Sequence, residues 1–159
     1  MITDGFKAVQ DALEALPAKL QQKVVVGATR AAASVIAKEA KENVPVRTGL
    51  LKKSISVRMV PKRKSKAGHV QFYVVPLSKM KFTANIMVGS TKGKLRVSRT
   101  AYYAHLVELG TKTEFGTVKT PAQPFLRPAF ENSAESSVKA FQEYALKRTD
   151  KEIAKMAVS

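Results

Sequence analysis

The side chains that most often carry chemistry are scarce in this chain. There is no cysteine, so thiolate nucleophiles, disulfides and cysteine-based zinc sites are all excluded. The only histidines are His69 and His105. A nucleophile needs a base within hydrogen-bond reach and a third group to orient that base. His69 stands beside a run of cations and His105 lies within an apolar-patterned segment, so the two read as a surface and a packing residue. Glu39 and Glu42 sit at i, i+3, the spacing of neighbours on a solvated helix face, not of a convergent acid pair. Hard cations require several carboxylates and softer metals require His and Cys clusters, and no segment concentrates either. Residues 89–94, Gly-Ser-Thr-Lys-Gly-Lys, have the composition of a phosphate loop without its spacing. No catalytic residue, metal site or cofactor is expected, and the chain is not read as an enzyme.

Charge is the positive signal. The chain of 159 residues carries 28 Lys and Arg against 12 Asp and Glu, a formal charge of +16. Between Glu42 and Glu108 there is no acidic residue at all. Two clusters stand out and are expected to form basic loops: Lys62, Arg63, Lys64 and Lys66, then Lys92, Lys94, Arg96 and Arg99. Such clusters either meet phosphate, releasing condensed counterions, or dock on an acidic protein neighbour. Nothing points to base readout, because neither a helix-turn-helix nor an aromatic stacking platform is visible.

The elements that must position these cations follow from periodicity. A first short helix, capped by Thr3 or Asp4, carries Phe6, Val9, Leu13 and Leu16 on one stripe and ends at Pro17. A second helix over 18–43 has a face of Leu20, Val24, Ala28, Ala31, Val35 and Ala40, whose small residues admit a close neighbour. Val44-Pro45 stops it, since the residue before proline avoids the helical region. Thr48-Gly49 is a turn, and residues 50–60 then read as a strand, with Ile55, Val57 and Met59 alternating. Residues 61–68 form a basic hairpin tip, 70–75 its return strand, 82–88 a third strand and 89–99 a second basic loop. A short helix over 101–109 closes on Gly110, residues 111–120 are a loop, and Pro128 opens a long last helix whose tail frays after Asp150.

The pattern predicts one α+β domain over 1–159, a small antiparallel sheet of three to four strands packed against two long helices. Its parts are N-terminal helices over 1–44, a basic β module over 45–100, and a C-terminal part over 101–159 with a short helix, a proline-rich connection and a long helix. No apolar run approaches the ~20 residues of a membrane span, and Met1-Ile2-Thr3-Asp4 begins no secretory signal, so no membrane association is expected.

Three blocks carry a resemblance. They are Gly5-Phe6 through Pro17, the alanine-rich helix and Val44-Pro45-Val46-Arg47-Thr48-Gly49-Leu50-Leu51-Lys52-Lys53-Ser54-Ile55; then Tyr102-Tyr103-Ala104-His105-Leu106-Val107-Glu108-Leu109-Gly110-Thr111; then Pro121-Ala122-Gln123-Pro124-Phe125-Leu126-Arg127-Pro128-Ala129-Phe130. In order and spacing they resemble the head–tail joining, or tail-completion, neck proteins of long-tailed bacteriophages, related to minor tail protein Z of lambda-like phages. Arg47 stands where that family usually has Asp, and Leu109 where it usually has Phe. The motif residues Pro45, Thr48, Gly49, Glu108, Gly110, Thr111, Pro124, Phe125 and Pro128 read as fold determinants: turns, a cap or ion pair at Glu108, and a core anchor at Phe125.

The resemblance implies a structural virion protein at the head–tail junction, made in the host cytoplasm. It implies a homo-oligomeric ring, hexameric like the tail tube, between the portal–adaptor connector and the tail-tube or tail-terminator proteins. The genome would pass through its lumen, in contact with the protein that is not sequence-specific. A nonspecific nucleic-acid-binding protein acting alone through its central cations is the alternative. A salt-dependent shift of DNA mobility by the monomer would favour it.

Overall fold

Pro17 divides the N-terminal helical pattern in two: α1 (Ile2–Glu14) precedes it and α2 (Ala18–Asn43) follows. Then come α3 (Leu50–Ser54), β1 (Ile55–Met59), β2 (Phe72–Pro76), β3 (Lys79–Val88), β4 (Thr91–Thr100), α4 (Ala104–Leu109) and α5 (Leu126–Val158). The computed structural model describes residues 2–46, 49–61, 69–77, 79–88, 91–100, 103–110 and 121–158, with 2–5, 79–88, 91–100 and 158 described by their backbone. The architecture is α+β.

The helix pair α2–α5 is the spine. Phe125, just ahead of α5, and Ala129, Ser133, Ser137, Ala145 and Thr149 on it are buried, with half-buried Phe141 completing an i, i+4 row. Such a row is a ridge that fits the groove of a facing helix. The facing residues on α2 are Val24, Ala28, Ala33, Ala37 and Ala40. Small side chains on both sides bring the backbones close, as the alanine content of 18–43 predicts. The buried line runs through Ala33 and Ala37, leaving Ala31 and Val35 half-buried, because α2 is flanked by α5 on one side and by β1–β2 on another. Hydroxyls in this seam would cost free energy if unpaired. Each instead donates within its own helix: Ser133 to the Ala129 carbonyl, Ser137 to that of Ala134 and Thr149 to that of Ala145.

Two core clusters sit along the spine. One, at the α1 end, joins Val9, Leu16, Val24, Ala28 and Ala145 with half-buried Leu13, Leu20 and Phe141. Phe6 is partly exposed, yet its ring lies 5.9 Å from that of Phe141. The other joins Ala37, Ala40, Val44, Leu51, Ile55, Ala104, Phe125 and Ala129. Here β1 and β2 pack on α2. Their antiparallel register pairs Ile55 with Pro76, Val57 with Val74 and Met59 with Phe72 on one face, and Ser56 with Val75 and Arg58 with Tyr73 on the other.

Several expectations are corrected. The strands do not make one sheet of three to four; they form two two-stranded pairs, β1–β2 and β3–β4, and among the described residues it is β1–β2 that packs on a long helix, α2. Val88 pairs with Thr91, so two residues separate β3 from β4 in sequence. β3 is thereby committed to the strand that follows it. The basic loop expected over 89–99 is, from Thr91 on, strand β4. Residues 50–54 are a helical turn and not strand, because Gly49 in the left-handed region reverses the chain and its carbonyl accepts from the Lys53 N–H at 3.1 Å. Helix α1 already includes Thr3 and Asp4, so neither precedes it as a cap. Helix α5 begins at Leu126 and not at Pro128, and it runs to Val158 with no break after Asp150. Thr149 and Glu152 are buried on that last stretch, and Glu152 pairs with Arg148 at 2.7 Å.

Candidate functional site

Residues of all three sequence blocks converge on one end of the spine. Gly49 has φ +68°, and a Cβ built there meets nothing within 4 Å, so its backbone angle and not lack of space calls for glycine. Pro45 follows buried Val44, the C-cap of α2. Gly110, at φ +75°, ends α4. Glu108, the last-but-one residue of α4, reaches across to α5. Its carboxylate accepts from the backbone N–H of Phe125 at 2.8 Å, Leu126 at 3.1 Å and Arg127 at 3.2 Å. The next residue, Pro128, has no N–H to satisfy. The first turn of α5 therefore leaves no donor orphaned, and a negative charge sits on the positive end of the helix dipole. Gln123 N–H donates to the Val107 carbonyl at 2.8 Å and closes the same junction. Phe125 follows exposed Pro124 and is fully buried, the anchor expected of it. On α4, Val107 packs against the core and Leu106 is exposed.

The first part of the basic module packs on this clamp: Leu51 of α3 and Ile55 of β1 share a core cluster with Phe125 and Ala129. Residues 45–100 hold fourteen Lys and Arg and no acid, leaving the other 103 residues of the chain with a net charge of only +2. Lys52 and Lys53 on α3 and Arg58 on β1 are exposed. Arg58 pairs in register with Tyr73 on the face of β1–β2 turned away from α2, where Tyr73 is also exposed. The cluster Lys62, Arg63, Lys64 and Lys66 lies outside the described residues, as do Thr48 and Thr111.

The second cluster is ordered by register. In β3–β4, Lys79 pairs with Thr100, Lys81 with Ser98, Thr83 with Arg96, Asn85 with Lys94 and Met87 with Lys92. Directly paired residues share a face and alternate pairs share the same one. Five cations, Lys79, Lys81, Lys92, Lys94 and Arg96, thus fall on one face of the ribbon. The intervening pairs are Met80–Arg99, Phe82–Val97, Ala84–Leu95, Ile86–Gly93 and Val88–Thr91. That face is apolar except for Arg99 and Thr91. The expected set Lys92, Lys94, Arg96 and Arg99 is therefore divided, three on the basic face and Arg99 on the other. Reasoning from cation density missed the apolar face; the alternation of Leu95 and Val97 with Lys94, Arg96 and Ser98 is the signal that reveals it.

Among the described residues, no group of three or more His, Asp or Glu side chains could hold a metal ion, and no helix is long and apolar enough to cross a membrane. The backbone register places cations on one face of the β3–β4 ribbon and mainly apolar residues on the other.

Comparison with known proteins adds one finding. The family described as "Bacteriophage HK97-gp10, putative tail-component" matches residues 7–110, more than half of the chain. The match covers all but the ends of the first two sequence blocks and stops before the third. No curated protein and no solved structure matches the chain.

Proposed function

Because this chain belongs to the bacteriophage HK97-gp10-like family of tail components, we propose that it is a structural subunit of the head–tail junction. It is a structural part of the phage virion; the finer placement is our reading. Copies assembled in the host cytoplasm close into a ring, six-fold to match the tail tube. The ring joins the portal–adaptor connector to the tail-tube or tail-terminator proteins, and packaged DNA passes through its lumen. Head-to-tail contacts that close into a ring are heterologous, so each copy presents two different surfaces to its neighbours. The role needs geometry and charge and no bond-making.

The observation that carries this reading is the confinement of charge. Residues 45–100 hold all but +2 of the net +16, and α3 and β1 at the start of that stretch pack on the junction closed by Glu108 and Phe125. A subunit lining a DNA passage needs such a division: an anion-facing surface carried by a scaffold that does not depend on the anion.

Phage particles assembled without this protein test the reading. Filled heads lying apart from finished tails are the expected outcome. Fully joined, infectious particles would overturn it. So would purified monomer that retards DNA in a salt-dependent manner while finished particles lack the protein, which is the behaviour of a free nucleic-acid-binding protein.

A further inference from the structure

The β3–β4 ribbon has ten residues in each strand and no acidic residue in either. Its register sets one cation in each of five successive pairs of the same face: Lys79, Lys81, Arg96, Lys94 and Lys92. Those pairs span ~26 Å, each ~7 Å from the next along the ribbon. Four of the five cations stand opposite a neutral hydrogen-bonding residue. Lys79 is opposite Thr100, Lys81 opposite Ser98, Arg96 opposite Thr83 and Lys94 opposite Asn85. The chain has little with which to neutralise this face. Of its twelve acids, three lie on α1, two on α2, Glu108 on α4 and five on α5. Among the described residues, no helix packs broadly on β3 or β4. Three of those carboxylates are already engaged: Glu108 by the first turn of α5, Glu131 by Arg127 and Glu152 by Arg148. The stretches outside the described residues hold one acid, Glu114, against seven Lys and Arg. Covering the ribbon with them would add positive charge, so the counter-charge has to come from outside the chain.

An acidic protein and a nucleic acid are the two sources of such charge, and the composition of the face separates them. Protein–protein interfaces exclude charge from their centres and are depleted of Lys and Ser, the residue types this face is made of. Protein–DNA interfaces are more polar and far more positive. Their phosphate contacts come from Lys and Arg helped by Ser, Thr and Asn, the same combination that the register pairs here. A duplex carries one phosphate per ~3.4 Å of rise in each strand, so a length matching the five pairs offers more phosphates than there are cations. Four of the five cations are Lys, which meets phosphate as a point charge, whereas base readout favours the fork of Arg. Contact is therefore with the backbone and independent of sequence, as a passage for a whole genome requires.

We propose that the basic face of β3–β4 lies along the phosphate backbone of duplex DNA, with Lys79, Lys81, Lys92, Lys94 and Arg96 as its cations and Arg99, on the opposite face, taking no part. This rests on the head–tail reading and names, within it, the surface that meets the genome. Strand register and not cation density defines that surface: it gains Lys79 and Lys81 and loses Arg99.

The test is site-specific photo-crosslinking in assembled, DNA-filled particles, with Thr83→p-benzoylphenylalanine on the basic face and Phe82→p-benzoylphenylalanine on the other. Ser98→p-benzoylphenylalanine, also on the basic face, carries the test if the bulkier group at 83 blocks assembly. The expected result is a nuclease-sensitive DNA adduct from positions 83 and 98 and, because successive residues of a strand take opposite faces, at least ~10-fold less from position 82. With the probe at 98, adding Lys94→Gln should lower the DNA adduct and adding Arg99→Gln should leave it unchanged. Adducts from 83 and 98 to a virion protein in place of DNA overturn the proposal in favour of an acidic partner. Equal DNA adducts from both faces, equal effects of Lys94→Gln and Arg99→Gln, or no adduct from the basic face in joined particles overturn it too. In each of these cases the head–tail reading survives. Finished particles that lack the chain would instead sink the head–tail reading itself.

Discussion

Replacing Glu108 with alanine removes one side chain and orphans three donors at once. The carboxylate accepts from Phe125 N at 2.8 Å, Leu126 N at 3.1 Å and Arg127 N at 3.2 Å. Loss of a helix cap costs about 0.5–2 kcal/mol, and a buried N–H left unpaired about 1–3 kcal/mol. The Phe125 and Leu126 donors lie in part-buried bonds, whereas the Arg127 bond is exposed and water can replace it. Counting the two part-buried bonds and the dipole interaction, and discounting the third, gives about 2–4 kcal/mol. For a chain of this size each kcal/mol moves the midpoint by about 2–4 °C, so Glu108→Ala should lower Tm by roughly 4–16 °C. Glu108→Gln keeps one oxygen acceptor but loses the charge, and should fall between. The control is Glu131→Ala, which removes an exposed i, i+4 pair with Arg127 and should shift Tm by no more than ~2 °C. Thermal unfolding followed by far-ultraviolet circular dichroism reads all three. Glu108→Ala melting within ~1 °C of wild type would refute the claim that this carboxylate holds the α4–α5 junction.

Three other outcomes follow from the same geometry. Phe125→Ala, at a fully buried position, should lose about 3–5 kcal/mol in urea unfolding; an unchanged midpoint would show that its pocket closes without cost. A Cβ on Gly27 would come within 2.7 Å of Tyr144 Cζ, so Gly27→Ala should stabilise by ~1 kcal/mol, the ordinary helix-propensity gain, only in a Tyr144→Ala background; the same gain in both backgrounds would mean that the ring moves aside freely. Changing Lys62, Arg63, Lys64 and Lys66 together to Ser should leave Tm within ~2 °C, as surface changes do, yet reduce infectious titre; full titre would remove that tip from any role in joining or genome retention.

What was legible in the sequence was local. Pro17 and Val44-Pro45 bracket α2 at its observed ends, and the alanine run announced a close helical neighbour without saying which helix. Phe125 between prolines read as an anchor because a large apolar residue in a polar, proline-rich stretch has few other uses. What escaped was of two kinds. The Glu108 clamp joins residues 17 to 19 positions apart, and no periodicity reports such a contact. Strand β4 was legible and hidden at once: Lys92, Lys94 and Arg96 recur every second residue, the period of a strand, but their charge suggested a solvated loop. The tail of α5 looked unanchored because Thr149 and Glu152 are polar, yet both are buried, one bonded back to Ala145 and the other paired with Arg148.

Both the family motif and the charge pattern make sense once the chain is split into a part that must be stable alone and a part that need not be. Cations at alternate positions of a strand are ~7 Å apart, inside the ~8 Å screening length of physiological salt. Lys92, Lys94 and Arg96 on β4, with Lys79 and Lys81 on β3, therefore repel one another in the monomer, with no acid in the module to offset them. A polyanion bound on that face relieves that cost. The α2–α5 spine carries no such debt: its seam is mostly small residues with Phe125 and Phe141 among them, its buried hydroxyls are bonded within their own helix, and its entry turn is capped by a carboxylate. A subunit built this way keeps its fixed geometry in the helices and leaves its extended module short of partners until assembly provides them.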